Sequence, residues 1–200
     1  DFRVFTQVHP EFVERCMAEI RVLDVNRQTL TMFAAPDKGT LLQRTRLCYM
    51  WTPARDGLPE QGLDGIRDHN LYARPLLDTA CVKMFSDGTA THSRTGAMLE
   101  PYLPHDGKTD DRGFLQMSEE TLAAALTKFD REGMTMKVHA CGDAAVRTTL
   151  NAYEKMRQAN GFTRMHEVAH WCFAKPEDIK RARDLGVTAE ISAYLWSPSD

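Results

Sequence analysis

Met134-Thr135-Met136-Lys137-Val138-His139-Ala140 follows Gly133 and runs into Cys141-Gly142-Asp143. Its near alternation of apolar and polar side chains is the period of a strand, in which successive residues face opposite sides. Upstream, Ser118 can cap a helix with Glu119 and Glu120 in its first turn, and Leu122, Ala125, Leu126 and Phe129 recur at helical spacing until Gly133. Downstream, Gly142-Asp143 opens a second helix, with Val146, Leu150, Tyr153 and Met156 on one side and an end near Asn160-Gly161. Met165 to Trp171 predicts the next strand. Pro176 then starts a short helix carrying Ile179, Ala182 and Leu185, Gly186 closes it, and Val187 to Ala193 predicts a further strand.

Strand and helix therefore alternate, which calls for parallel strands joined by crossover helices, in a closed barrel or an open doubly wound sheet. Both place active sites at the C-terminal ends of the strands. Earlier strand candidates are Arg46 to Trp51 and Ala80 to Phe85, with an amphipathic helix from Pro10 before them and an ambiguous stretch from Val25 to Gln43. The first 45 residues carry no firm assignment. The resulting expectation is an α/β chain of about five parallel strands, the central part of a (β/α)8 barrel of TIM type, whose complete form takes about 250 residues. On this reading residues 1–200 are one fragment of a single barrel domain, and 86–117, which lacks a sustained period, is a long active-site loop.

Composition narrows the function. The 200 residues are 42% hydrophobic, enough for an ordinary core, and the formal charge of -3 comes from Lys and Arg spread along the chain. That distribution argues against nucleic acid and anionic membrane as partners and favours a small-molecule substrate. No apolar run reaches the roughly 20 residues of a membrane span. Five cysteines, Cys16, Cys48, Cys81, Cys141 and Cys172, show no C-x-x-C spacing and are expected to be reduced core residues of a cytoplasmic protein.

Three polar residues fall near predicted strand ends: Lys83, His139 and His170. Two histidines on successive strands at one mouth suit a divalent metal such as zinc. A lysine between Val82 and Met84-Phe85 must find a partner, Asp87 being the nearest in sequence, or lose its charge by desolvation. A neutral lysine can form a Schiff base or take up carbon dioxide as a carbamate; the paired histidines favour the carbamate. Arg94 and His92 in the long loop are lesser candidates for substrate contact, and Asp143 is read as a helix cap.

The blocks Val82-Lys83-Met84-Phe85-Ser86-Asp87-Gly88, Ser93 to Tyr102, Val138-His139-Ala140-Cys141-Gly142-Asp143 and Val168-Ala169-His170 resemble the family 3 branch of the amidohydrolase superfamily, which includes N-substituted formamide deformylases. The resemblance implies a hydrolase with two zinc ions, acting on an amide-type C–N bond other than a peptide bond through an activated water. It implies Lys83 as the carboxylated bridging ligand and His139 and His170 as ligands of the second metal. The family's His-x-His pair and its general-base aspartate have no counterpart here and are expected outside the chain, so the isolated chain is expected to be inactive. Ala169 stands where many relatives have glutamate.

A rival motif is present. His166-Glu167-Val168-Ala169-His170 spells H-E-x-x-H, the zincin protease signature, which works only on a helix that brings both histidines to one ion. A non-catalytic metal-binding fragment is the third alternative.

Overall fold

The computed structural model describes residues 45–73, 77–90 and 93–192. The helix expected from Pro10, the stretch Val25 to Gln43, and His92 lie outside the described residues. Five strands, β1 (Thr45–Met50), β2 (Leu77–Phe85), β3 (Thr135–Ala140), β4 (His166–His170) and β5 (Val187–Ile191), form one sheet in sequential order. Strands β2 to β5 pair in parallel, with Phe85 opposite His139, Ala140 opposite His170, and Glu167 opposite Thr188. The helices are α1 (Leu63–Arg67), α2 (His69–Tyr72), α3 (Glu119–Arg131), α4 (Asp143–Asn160) and α5 (Pro176–Asp184). This is the parallel β/α succession of a (β/α)8 barrel, in part.

The described residues belong to two compact units. The smaller takes in Thr45 to Leu47 and the described part of Asp68–Thr79. Within it Arg46 pairs with Asp78 at 2.7 Å and the Thr79 hydroxyl donates to the His69 carbonyl at 2.8 Å. The larger runs over Cys48–Arg67 and from Ala80 onward.

In the larger unit the alternation of the strands sorts the side chains. Val82 and Met84 of β2, Met136, Val138 and Ala140 of β3, and Val168 of β4 are buried in one cluster with Leu122, Leu126 and Phe129 of α3 and Val146, Leu150 and Tyr153 of α4. Each large side chain so removed from water contributes about 1.5–3 kcal/mol. The intervening residues Lys83, Lys137, Glu167 and Glu190 face the other way. There Lys137 pairs with Glu190 at 3.1 Å and with Glu167 at 3.6 Å.

Local signals set the helix ends. The Ser118 hydroxyl accepts from the Thr121 N–H at 3.2 Å, and Pro176 occupies the first turn of α5. Gly133 follows α3 with φ +90°, and Gly161 ends α4 with φ +74°. Asp143 differs from expectation: α4 is capped by Gly142 without a side-chain bond, and Asp143 instead accepts from the Leu99 N–H at 2.7 Å and pairs with Lys175 at 3.2 Å.

The cysteine expectation is corrected. Cys48 and Cys81 are joined in a disulfide across β1 and β2, with their Cα atoms 4.3 Å apart. Spacing along the chain could not reveal this, because the partners are 33 residues apart and meet only when the two strands become neighbours. Cys141 and Cys172 are free. No helix among the described residues is long and apolar enough to cross a membrane.

Candidate metal centre

The C-terminal ends of β3 and β4 bring His139 and His170 together, their rings inclined at 63° with centroids 4.5 Å apart. His139 belongs to the same face as Lys83, Lys137 and Glu167. By strict alternation His170 belongs with His166 and Val168, on the face turned to the helices. His170 and Trp171 escape this by taking left-handed conformations, φ +77° and +44°. Such backbone is costly for residues with a Cβ and tends to persist where surrounding structure requires it.

Hydrogen bonds fix both imidazoles. His139 Nε2 lies 2.6 Å from the Gly88 carbonyl, which can only accept, so Nε2 carries the proton and Nδ1 keeps a lone pair. His170 Nδ1 lies 2.9 Å from the Ser192 hydroxyl, which directs its own hydrogen to Glu190 at 3.4 Å; Nδ1 is then the donor and Nε2 the bare nitrogen. Burial, and then the charges of His139 and Lys83, push the His170 pKa down to about 4, so this ring is neutral at ordinary pH.

Lys83 lies beside this pair. Its Nζ is buried and, among the described residues, accepts or donates no hydrogen bond; it sits 4.9 Å from the ring centroid of Phe85, whose ring is 5.1 Å from that of His139. Burial and, secondly, Lys137 lower its pKa to about 8. Asp87, the partner nearest in sequence, is committed elsewhere. Its fully buried carboxylate accepts from the N–H groups of Ala97 at 2.9 Å, Cys141 at 3.0 Å and Gly142 at 2.8 Å, and approaches His139 Nε2 at 3.4 Å. Three backbone donors bind one carboxylate, tying the β2 end and the long loop to the turn behind His139. Sequence reasoning missed this role because an aspartate next to a glycine after a strand reads as an ordinary turn.

The long loop is held by its own bonds. The Ala97 carbonyl accepts from the N–H groups of Ala144 at 3.0 Å and Ala145 at 3.3 Å, and Tyr102 donates to the Gly96 carbonyl at 2.7 Å. Arg94 donates to the Leu103 carbonyl at 2.9 Å, which gives it a part in loop structure. Where the loop returns, a cavity of about 220 Å³ opens between Met50, Trp51, Pro53, Phe85, Gln116 and Met117.

The H-E-x-x-H pair does not converge. Residues His166 to His170 are strand, and His166 is fully buried on the opposite face, accepting from the Met136 N–H at 3.2 Å through Nδ1 and meeting Asp130 at 3.1 Å through Nε2. Tyr153 stacks on it with centroids 5.6 Å apart. Glu167 is engaged by Lys137. The zincin alternative therefore fails on backbone geometry. Among the described residues no group of three or more His, Cys, Asp or Glu side chains is placed to hold a metal ion.

A model of the amidohydrolase family, family 3, matches residues 39–199. The chain belongs to the amidohydrolase family. YtcJ of Bacillus subtilis (strain 168), assigned as an amidohydrolase, is 32% identical to it over 121 residues, which is 60% of this chain and 22% of YtcJ. A crystal structure of an uncharacterized metal-dependent hydrolase from Pyrococcus furiosus superposes with a TM-score of 0.53 at 25% identity, covering 64% of this amidohydrolase chain and 26% of the other. A metal-dependent hydrolase from Pyrococcus horikoshii gives 0.49 at 28% identity, covering 58% and 22%. This amidohydrolase chain thus spans about a quarter of the length of these relatives.

Proposed function

We propose that the chain supplies part of the metal centre of a metal-dependent hydrolase acting on an amide-type C–N bond other than a peptide bond. The observation that carries this is the buried Lys83 amine, which among the described residues makes no hydrogen bond, beside two imidazoles that each have one nitrogen not engaged by a described residue. A buried charged amine with no hydrogen bond is costly, and the surroundings favour its neutral form. The donor set fits a divalent metal: His139 would bind through Nδ1, His170 through Nε2 and a carboxylated Lys83 through its carbamate oxygens, donors that suit zinc. The bound metals would supply an activated water and polarise the substrate carbonyl.

The chain's own part is preparation. The neutral Lys83 nitrogen attacks the carbon of carbon dioxide; an N–C bond forms as one C=O π pair moves onto oxygen, and the nitrogen passes a proton to water, leaving a carbamate anion. Gly88 and Ser192 hold the two histidines in the tautomers that leave Nδ1 of His139 and Nε2 of His170 free. The Phe85 ring lies against Lys83 and, with the loop residues Gln116 and Met117, lines the cavity in which an apolar substituent of a small-molecule substrate would sit.

The reading is tested by zinc titration with 13C-labelled bicarbonate. A carbamate carbon resonance should appear on zinc addition and vanish in Lys83→Ala; zinc binding of equal strength in that variant, with no carbamate in the parent, sinks the proposal. The partial-site element has its own test. The chain alone, saturated with zinc, should not hydrolyse an N-substituted formamide, and turnover by it would show that the ligand set is complete.

A further inference from the structure

We propose that Cys141 and Cys172 form a modification site, a dithiol that a small-molecule disulfide of the glutathione class converts into a Cys141–Cys172 disulfide. Each follows one histidine of the pair by two residues, Cys141 after His139 on β3 and Cys172 after His170 on β4. The strands are parallel neighbours in which Ala140 is opposite His170, and the Cys141 carbonyl accepts from the Phe173 N–H at 3.0 Å. The two thiols are near enough to interact with each other. Both cysteines lie just past the ends of β3 and β4, where that backbone bond continues the pairing; chains so paired run about 4.8 Å apart, inside the roughly 4.4–6.8 Å between Cα atoms that a disulfide accepts.

The sheet already contains one such bond. Cys48 and Cys81, on adjacent strands, are closed into a disulfide, whereas Cys141 and Cys172, just past the ends of adjacent strands, are the free cysteines among the described residues. Their exposure sets the order of events. Cys141 is 3% exposed and Cys172 is half-buried, so Cys172 is the entry thiol. Its sulfur attacks one sulfur of the small disulfide, breaking that S–S bond and releasing one small thiol. Cys141 then attacks the Cys172 sulfur of the mixed disulfide, forms the internal bond and expels the second small thiol. The two protein thiol hydrogens leave on the two small thiols, which are reduced as the protein pair is oxidised. The bond would tie together the turns that leave β3 and β4, immediately behind His139 and His170. Its formation does not depend on those histidines holding a metal.

The test uses the chain with Cys16→Ser, incubated with glutathione disulfide, alkylated and mapped by mass spectrometry. The expected product is a peptide pair joined through Cys141 and Cys172, with loss of two hydrogens. Cys141→Ser should instead trap a stable glutathione adduct on Cys172. In Cys172→Ser, adduct formation on Cys141 should be at least about tenfold slower than on Cys172, as its burial requires. Far-UV circular dichroism of both variants establishes that they fold. A parent chain that keeps both thiols free, or that accumulates the Cys172 adduct without the internal bond, overturns the proposal; equal reaction rates in the two variants overturn the order of attack.

Discussion

His139 and His170 meet ring to ring at 4.5 Å although the strand register places His139 opposite Ala169 and His170 opposite Ala140. A regular β4 would have turned His170 toward the helices, where His166 of the same strand makes its bonds. The left-handed backbone at His170 and Trp171 re-aims the second imidazole across the strand end. The strain is therefore located at the residue that completes the pair, as is common where geometry serves a site.

If the two rings share an ion, His139→Ala and His170→Ala should each weaken zinc binding by more than about tenfold, a loss seen even for groups that only orient a ligand. The double variant should fall short of the product of the two losses, because either deletion already breaks the shared site. Zinc competition against a chelating dye measures this. Independent, multiplicative effects would mean that the histidines do not act on one ion.

His166→Ala separates the two readings of the H-E-x-x-H stretch. The substitution removes bonds to Met136 and Asp130 and a stacked contact with Tyr153, all in the core. Urea unfolding should show a loss of about 2–4 kcal/mol, the scale of a cavity with unsatisfied buried polar groups. Zinc affinity should stay within about twofold of the parent, since His166 lies on the other face. A collapse of zinc binding in a folded variant would restore the protease reading.

Stability should fall as the solution is acidified from neutrality. Burial, then the charge of Arg157, lowers the His166 pKa from 6.5 to about 4. Between those values the unfolded chain binds a proton that the folded chain refuses, so stability is full above 6.5, declines through the window and levels off below 4. One such group gives a slope of about 1.4 kcal/mol per pH unit, or roughly 3 kcal/mol in all. His170 is lowered to about 4 as well and adds to the slope in the metal-free chain. Urea midpoints from pH 4 to 7.5 test this, and a flat profile would contradict neutral, buried imidazoles. Excess zinc, which binds only the unprotonated imidazole, should carry the His170 share to lower pH and leave that of His166 unchanged.

Gly142→Ala should be poorly tolerated. A Cβ there would lie 2.0 Å from the Ala97 carbonyl oxygen, the acceptor for the N–H groups of Ala144 and Ala145. The loop at Ala97 and the first turn of α4 cannot keep these bonds and also make room, so the midpoint of thermal unfolding should drop by several degrees. The loss corresponds to about 1–3 kcal/mol of overpacking. Limited proteolysis should then cut within 93–117 faster than it does in the parent. An unchanged midpoint and cleavage pattern would show that the close approach carries no weight.

The amino-acid pattern by itself determined the α/β alternation, and the reason is local. Period-2 runs at β3 and β4, the Ser118 cap, Pro176 at a first turn and the glycines after α3 and α4 each act within a few residues, so their consequences can be read without knowing the fold. It also put Lys83, His139 and His170 at strand ends, because parallel strands joined by helices present their C-terminal ends on one side. Only the tertiary structure decided what those residues face. The reversal at His170 depends on the turn after β4, since alternation alone assigns that side chain to the helix layer. The Cys48–Cys81 bond, the capture of three N–H groups by Asp87, and the burial of His166 against Asp130 join residues 30 or more apart, except for the contact between Asp87 and Ala97. Such pairings come from strand order and register, which bring together groups that have no local pattern in common.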